Sequence, residues 1–136
     1  MVPRSDTPRG APSAATPSRI LLVEDEFLIR MMVSDVLRDA DFDVIEAASA
    51  DEALTILKSG VRIDLMISDV RMPGSIDGLG LLAVVRTTLP TLPVIITSAH
   101  LEPRLAITDG ATQFVAKPFS LEALVAAVSA ELGRKN

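Results

Sequence analysis

The feature that most constrains this chain is an alternation. From Arg19 onward, short apolar runs recur between longer stretches with helical spacing, and the runs are Ile20–Val23, Val44–Ala47, Leu65–Ser68, Val94–Thr97 and Phe114–Ala116. Most are rich in Val, Ile or Leu, as strands buried on both faces must be, and strands separated by helices join in parallel through crossover connections. Five such βα units predict an α/β fold with a doubly wound, five-stranded parallel sheet.

The stretches between the runs predict helices. Phe27–Ala40 carries Leu28, Met31, Met32, Asp35 and Val36 at three- and four-residue spacing, which predicts one buried face with Asp35 as a polar interruption. The Met31–Met32 pair is read as packing within that helix and not as a metal site or target groove. Asp51–Lys58 groups Ala53, Leu54 and Leu57 ahead of Gly60, and Leu79–Thr88 groups Leu82 and Val85 ahead of Pro90, so each ends at a breaker. A short fourth helix is predicted over Leu101–Thr108, with Pro103 in its first turn and Asp109–Gly110 as its stop. The fifth starts after Ser120, a good N-cap, and buries Leu121, Leu124, Val125 and Val128 before Gly133.

With 136 residues and 49% hydrophobic content, the chain has material for one real core. Residues 1–18 hold Pro3, Pro8, Pro12 and Pro17 among Ser, Thr, Ala and Gly without periodicity, so they are read as a disordered leader before a domain spanning 19–136; a docking tail and an expression remnant are the alternatives. The domain carries eleven basic and seventeen acidic residues, a net charge of −6, while the leader carries +1. An acidic domain repels phosphate backbones and has no basic stripe to reverse that, so direct nucleic-acid binding is not expected. No apolar run approaches the roughly 18–20 residues that cross a bilayer, and no secretory h-region opens the chain. With no cysteine there are no disulfides and no thiolate chemistry, and the expected compartment is the cytoplasm.

Open α/β sheets bind at the carboxyl ends of their strands, and those ends here hold chemistry. The first strand ends at Glu24–Asp25, the third at Asp69, the fourth at Ser98 and the fifth at Lys117–Pro118. Taken singly, each is explained by helix capping or a solvated turn. Capping asks for one short polar residue per junction, however, so it does not account for two adjacent acids and a third at another strand end. Clustered carboxylates gain stability when a cation neutralises them. Oxygen donors without His or Cys favour Mg²⁺, Mn²⁺ or Ca²⁺, and few protein ligands plus water suit Mg²⁺, with Mn²⁺ as a substitute. A metal beside a carboxylate and a lysine also defines a phosphoryl-transfer pocket in which Asp69 can act as the nucleophile.

Four segments carry a resemblance: LLVEDE at Leu21–Glu26, DVRMPGSIDG at Asp69–Gly78, PVIITSA at Pro93–Ala99 and FVAKPFS at Phe114–Ser120. In order and spacing they resemble the signature segments of response-regulator receiver domains of two-component signalling, over nearly all of Arg19–Leu132. The resemblance implies a flavodoxin-like (βα)5 fold with strand order 2-1-3-4-5. It implies that Asp69 accepts a phosphoryl group from a histidine kinase or phosphotransfer protein. Asp25 and Asp69 would bind Mg²⁺ directly, Glu24 through water, and Arg71 through its backbone carbonyl. Lys117 would contact the phosphoryl oxygens, Pro118 would follow a cis peptide, and Ser98 and Phe114 would form the switch. Such domains often pair through the face of helix four, strand five and helix five, so a homodimer there is one assembly the resemblance admits.

Three departures matter. Glu24 stands where Asp is commoner, which lengthens that acid and alters water placement. Ser98 stands for Thr and Phe114 for the frequent Tyr, leaving packing alone to drive the switch. The loop after Pro73 is one residue longer than the shortest family pattern, with Gly74, Ser75 and Ile76 before Asp77–Gly78, and this is expected to bear on kinase recognition or loop mobility near Asp69.

The expected protein is thus no conventional enzyme: it catalyses only its own phosphorylation and dephosphorylation, and signals to an unknown downstream protein target. The chain ends four residues after Leu132, leaving no room within it for an output unit. A degenerate or phosphate-sink receiver acting as a scaffold is the alternative. A haloacid-dehalogenase-type phosphatase would need an Asp two positions after Asp25, where Phe27 stands, and a nucleotide binder would need a phosphate-cradling loop where Glu24–Asp25–Glu26 stands. His100, the sole histidine, is read as an ordinary loop residue.

Overall fold

The structure, a computed structural model, describes residues 16–72, 74–99 and 110–133. Along these run β1 (Arg19–Val23), α1 (Phe27–Asp39), β2 (Asp43–Ala47), α2 (Ala50–Lys58), β3 (Leu65–Asp69), α3 (Gly78–Thr88), β4 (Val94–Ser98), β5 (Gln113–Ala116) and α4 (Leu121–Glu131). Here α4 is the helix predicted after Ser120. The short helix predicted over Leu101–Thr108, His100 and the first fifteen residues of the leader lie outside the described residues.

All five strands pair in parallel in the order β2-β1-β3-β4-β5, as the resemblance implied. Alternate residues of each strand enter two different cores, which is why the runs are apolar throughout. On one face Leu21, Val23, Met66, Val94 and Ile96 meet Ala50 and Ala53 of α2 and Leu81, Leu82 and Val85 of α3. On the other, Ile20, Leu22, Leu65, Ile67 and Ile95 meet Val33 and Leu37 of α1 and Leu124 and Val128 of α4. Burying each of these Val, Leu, Ile and Met side chains contributes about 1.5–3 kcal/mol.

The helix ends follow their local chemistry. Ser120 caps α4 by accepting from the Ala123 N–H at 3.0 Å. Ser49 caps α2 by accepting from the Glu52 N–H at 3.1 Å, and Glu52 reaches back to the Ala48 N–H at 2.8 Å. Gly60, at φ 83°, stops that helix where the sequence placed the stop.

One expectation is overturned. The buried row of α1 is Val33, Ser34 and Leu37, with Ile29 and Val36 packed against the core, whereas Leu28, Met31 and Met32 are 59%, 40% and 50% exposed. The Met pair is therefore not core packing. Two overlapping apolar rows exist on this helix, and a shift of one residue turns a helix by about 100°. The spacing scores both rows alike; the sheet selects the Ile29–Val33–Leu37 row.

Candidate functional site

Register brings the acids together. Val23 pairs with Ser68, so the next residues, Glu24 after β1 and Asp69 at the end of β3, stand level on adjacent central strands. Glu24 and Asp69 are buried and Asp25 is exposed, and one carboxylate oxygen from each of the three lies within 4.8 Å of the others. The backbone at each acid is held. The Glu24 N–H donates to the Ala47 carbonyl at 3.0 Å, and the Glu24 side chain accepts from the Glu26 N–H at 3.1 Å. Asp69 Oδ1 accepts from the Val70 N–H at 2.8 Å.

Lys117 arrives from the other side of the sheet. Ser98 pairs with Ala116, and the Lys117 N–H then donates to the Ser98 carbonyl at 3.0 Å, which aims the side chain back across β4. Its Nζ donates to Asp69 Oδ2 at 3.0 Å and to Glu24 Oε1 at 3.1 Å, the latter a contact between residues 93 apart in sequence. The Lys117–Pro118 peptide is cis. Burial pushes the Glu24 carboxyl above its ordinary range, outweighing the Glu26 amide and the Lys117 ammonium, while the Asp69 charge adds to the rise. Burial also opposes the Lys117 ammonium, but the hydrogen bond to Asp69 and the charges of Glu24 and Asp69 together hold its pKa above the usual lysine value.

A cavity of about 200 Å³ opens at this point, lined by Asp69, Arg71, Ser98, Ala99 and Lys117. Five of the residues singled out in the sequence thus converge with Arg71: Glu24, Asp25, Asp69, Ser98 and Lys117. Phe114 does not line the cavity. It stands opposite Ile96, two rungs below the Ser98–Ala116 pair, half-buried against the core beneath α2 and α3.

Two supporting residues have no role that the sequence alone assigns. Arg30 on α1 donates to the Glu24 carbonyl at 2.8 Å and pairs with Glu46 at 3.3 Å, yet in sequence it looks like any surface arginine of a helix. Gly78 opens α3 against the end of β3: its N–H donates to the Val70 carbonyl at 2.9 Å, and a Cβ there would lie 2.0 Å from the Asp69 carbonyl oxygen. Only glycine permits that approach, which fixes where the chain returns after passing the site.

An oxygen-only donor set of three acids, two of them buried, suits a hard divalent cation, because a single lysine cannot neutralise all three charges. The residues therefore fit the group that the fold implies.

A sequence profile of the response regulator receiver domain matches residues 20–129. The chain belongs to this family, the receiver domains of bacterial two-component response regulators. It is similar to the C4-dicarboxylate transport transcriptional regulatory protein DctD of Rhizobium meliloti, at 39% identity over 115 residues, covering 82% of this chain and 24% of that protein. Among solved structures it is similar to the chemotaxis response regulator CheY4 of Vibrio cholerae, at 32% identity and a TM-score of 0.79, covering 85% of this chain and 99% of that one. The receiver domain of NtrX from Brucella abortus shares 32% identity with a TM-score of 0.78, again over 85% and 99% of the two chains. The chain spans about a quarter of the length of the curated relatives it matches. Among the described residues, no helix is long and apolar enough to cross a membrane.

Proposed function

We propose that this receiver is switched by phosphorylation of Asp69, drawing the phosphoryl group from a sensor histidine kinase or a histidine phosphotransfer protein. The observation that carries the reading is Lys117 Nζ bridging Asp69 Oδ2 and Glu24 Oε1 beside a cavity that Ser98 also lines. An Asp69 carboxylate oxygen attacks phosphorus as the P–N bond to the donor imidazole breaks, and that nitrogen leaves with the bonding pair. Lys117 is already within hydrogen-bond reach of the nucleophile and meets the phosphoryl oxygens as charge develops on them. The Ser98 hydroxyl donates to the transferred group. Asp25 and Asp69 would hold Mg²⁺ directly, with Glu24 acting through water and Arg71 through its carbonyl, and Mn²⁺ would serve as a substitute. When bound, the ion supplies positive charge to the phosphoryl oxygens.

Phosphorylation adds about one to two negative charges to a pocket already rich in acids. Ser98 shifts toward the new group and Phe114 fills the space behind it, reshaping the surface near β5 and the helix predicted over Leu101–Thr108. Couplings of this kind are typically about 1–3 kcal/mol, enough to bias a partner's affinity. The chain so signals through protein contacts in the cytoplasm to a downstream target, and a homodimer would use the face of β5, α4 and the helix predicted over Leu101–Thr108. It turns over no substrate but its own phosphoryl group.

Acetyl phosphate with Mg²⁺ tests the assignment. Intact mass is expected to rise by one phosphoryl group in the native chain and not in Asp69→Asn. Continued labelling of that variant would remove the site, and absence of labelling in the native chain would favour a degenerate scaffold.

A further inference from the structure

The loop between β3 and α3 carries Arg71, and it is tied at three places. At its start the Val70 N–H is shared between Asp69 Oδ1 and the Thr97 carbonyl. At its end the Gly78 N–H returns to the Val70 carbonyl, and Asp77 caps α3 by accepting from the Gly80 N–H at 2.9 Å. The third tie lies between these and reaches out to another helix. The Ser75 hydroxyl donates to Asp51 Oδ1 at 2.5 Å, and the Ser75 N–H donates to Asp51 Oδ2 at 3.1 Å.

Asp51 sits in the first turn of α2, where an acid is usually explained by the helix itself. That explanation leaves the contact unaccounted for. The α2 terminus is already served by Ser49 and Glu52, and both Asp51 carboxylate oxygens are turned to Ser75. Gly74 is fitted to the same contact: it holds φ at 122°, and a Cβ there would lie 2.7 Å from Asp51 Oδ2. The Ser75 hydroxyl and amide also hold the Asp51 carboxyl below its ordinary range. Gly74 and Ser75 belong to the stretch that makes this loop one residue longer than the shortest family pattern.

We propose that Asp51 is a positioning residue, a latch whose two-point grip on Ser75 holds the loop so that the Arg71 carbonyl is available to the metal. This rests on the metal reading above and extends it to a residue that touches neither metal nor phosphate. Lengthening a loop next to a ligand costs order, and the latch restores it from a neighbouring helix.

The test is a ¹⁵N-NMR-monitored Mg²⁺ titration of the whole chain, following the amides of Asp25, Asp69 and Arg71. Asp51→Ala is expected to weaken Mg²⁺ binding by about tenfold, in line with the loss of other groups that support metal ligands. Ser75→Ala leaves the Asp51 charge in place and is expected to weaken binding in the same direction. The double variant is expected to be no worse than Asp51→Ala alone, since one contact cannot be lost twice. Asp51→Asn, whose amide oxygen still accepts from the Ser75 N–H, is expected to recover most of the affinity. Wild-type affinity in both Asp51→Ala and Ser75→Ala would overturn the latch. An effect in Asp51→Ala alone would overturn it in favour of a simple charge effect. If the native chain shows no Mg²⁺-dependent shift at Asp25 and Asp69, the metal reading falls and takes the latch with it.

Discussion

Lys117 donates to two buried acids at once, and this double contact accounts for much of the site's electrostatics. Three carboxylates within 4.8 Å repel one another, and one ammonium offsets only part of that repulsion. Because its folded pKa is raised above the usual 10.5, Lys117 contributes stability that is fully present below pH 10.5 and is lost as pH rises through the higher folded value. Lys117→Met should therefore lower stability in metal-free buffer at neutral pH by about 1–3 kcal/mol, because it leaves buried acids without their partner. The difference from the native chain should close only above pH 10.5. Lys58 and Lys135 titrate in the same range but are common to both proteins, so the difference between their thermal melts across alkaline pH reads Lys117. A gap that stays constant to the end of the alkaline range would mean the ammonium contributes nothing to folding. Gly78 gives the steric counterpart: Gly78→Ala must move the Asp69 carbonyl or α3, and its acetyl phosphate labelling should fall even where the fold survives.

At the scale of elements, α1 separates what the sequence discloses from what it does not. Ile29, Val33 and Leu37 face the sheet, while Leu28, Met31 and Met32 look outward, and both rows satisfy helical spacing. Leu37→Ala is expected to cost about 2–5 kcal/mol in urea denaturation, as for other buried leucines. Met32→Ala should stay within about 0.5 kcal/mol, as exposed substitutions do. The reverse order would restore the face first expected. The strands were legible because a chain covered on both sides needs apolar residues at every position, and Ile20–Val23 or Val94–Thr97 admit few other readings. The choice between two helical faces was not legible, since it is made by packing against Leu22 and Ile67, which lie far off in sequence. The same limit hid Arg30 and Asp51: each makes its contact with a backbone or loop group whose position only the folded chain defines.

Across the whole molecule, the sheet converts that local information into one site. Glu24, Asp25, Asp69, Ser98 and Lys117 come from four strand ends, and parallel pairing brings them to a common edge. These residues were readable because the strand ends could be found, and four motifs in order left little freedom in how they meet. The contact between Lys117 and Glu24 could not be read from spacing, because the reach of a side chain across β3 depends on register and twist. Signal output belongs to this scale as well. With beryllofluoride and Mg²⁺, the Phe114 ring resonances should shift if Ser98 and Phe114 respond together, and invariant rings would defeat that switch.

The central claim is that the strand-end acids hold one divalent ion in common, and paramagnetic broadening by Mn²⁺ reads it most directly. Substoichiometric Mn²⁺ should broaden the amides around Asp25, Asp69 and Lys117 together, and Asp25→Asn should abolish all of it. Broadening centred elsewhere, or broadening that persists unchanged in Asp25→Asn, would contradict the account.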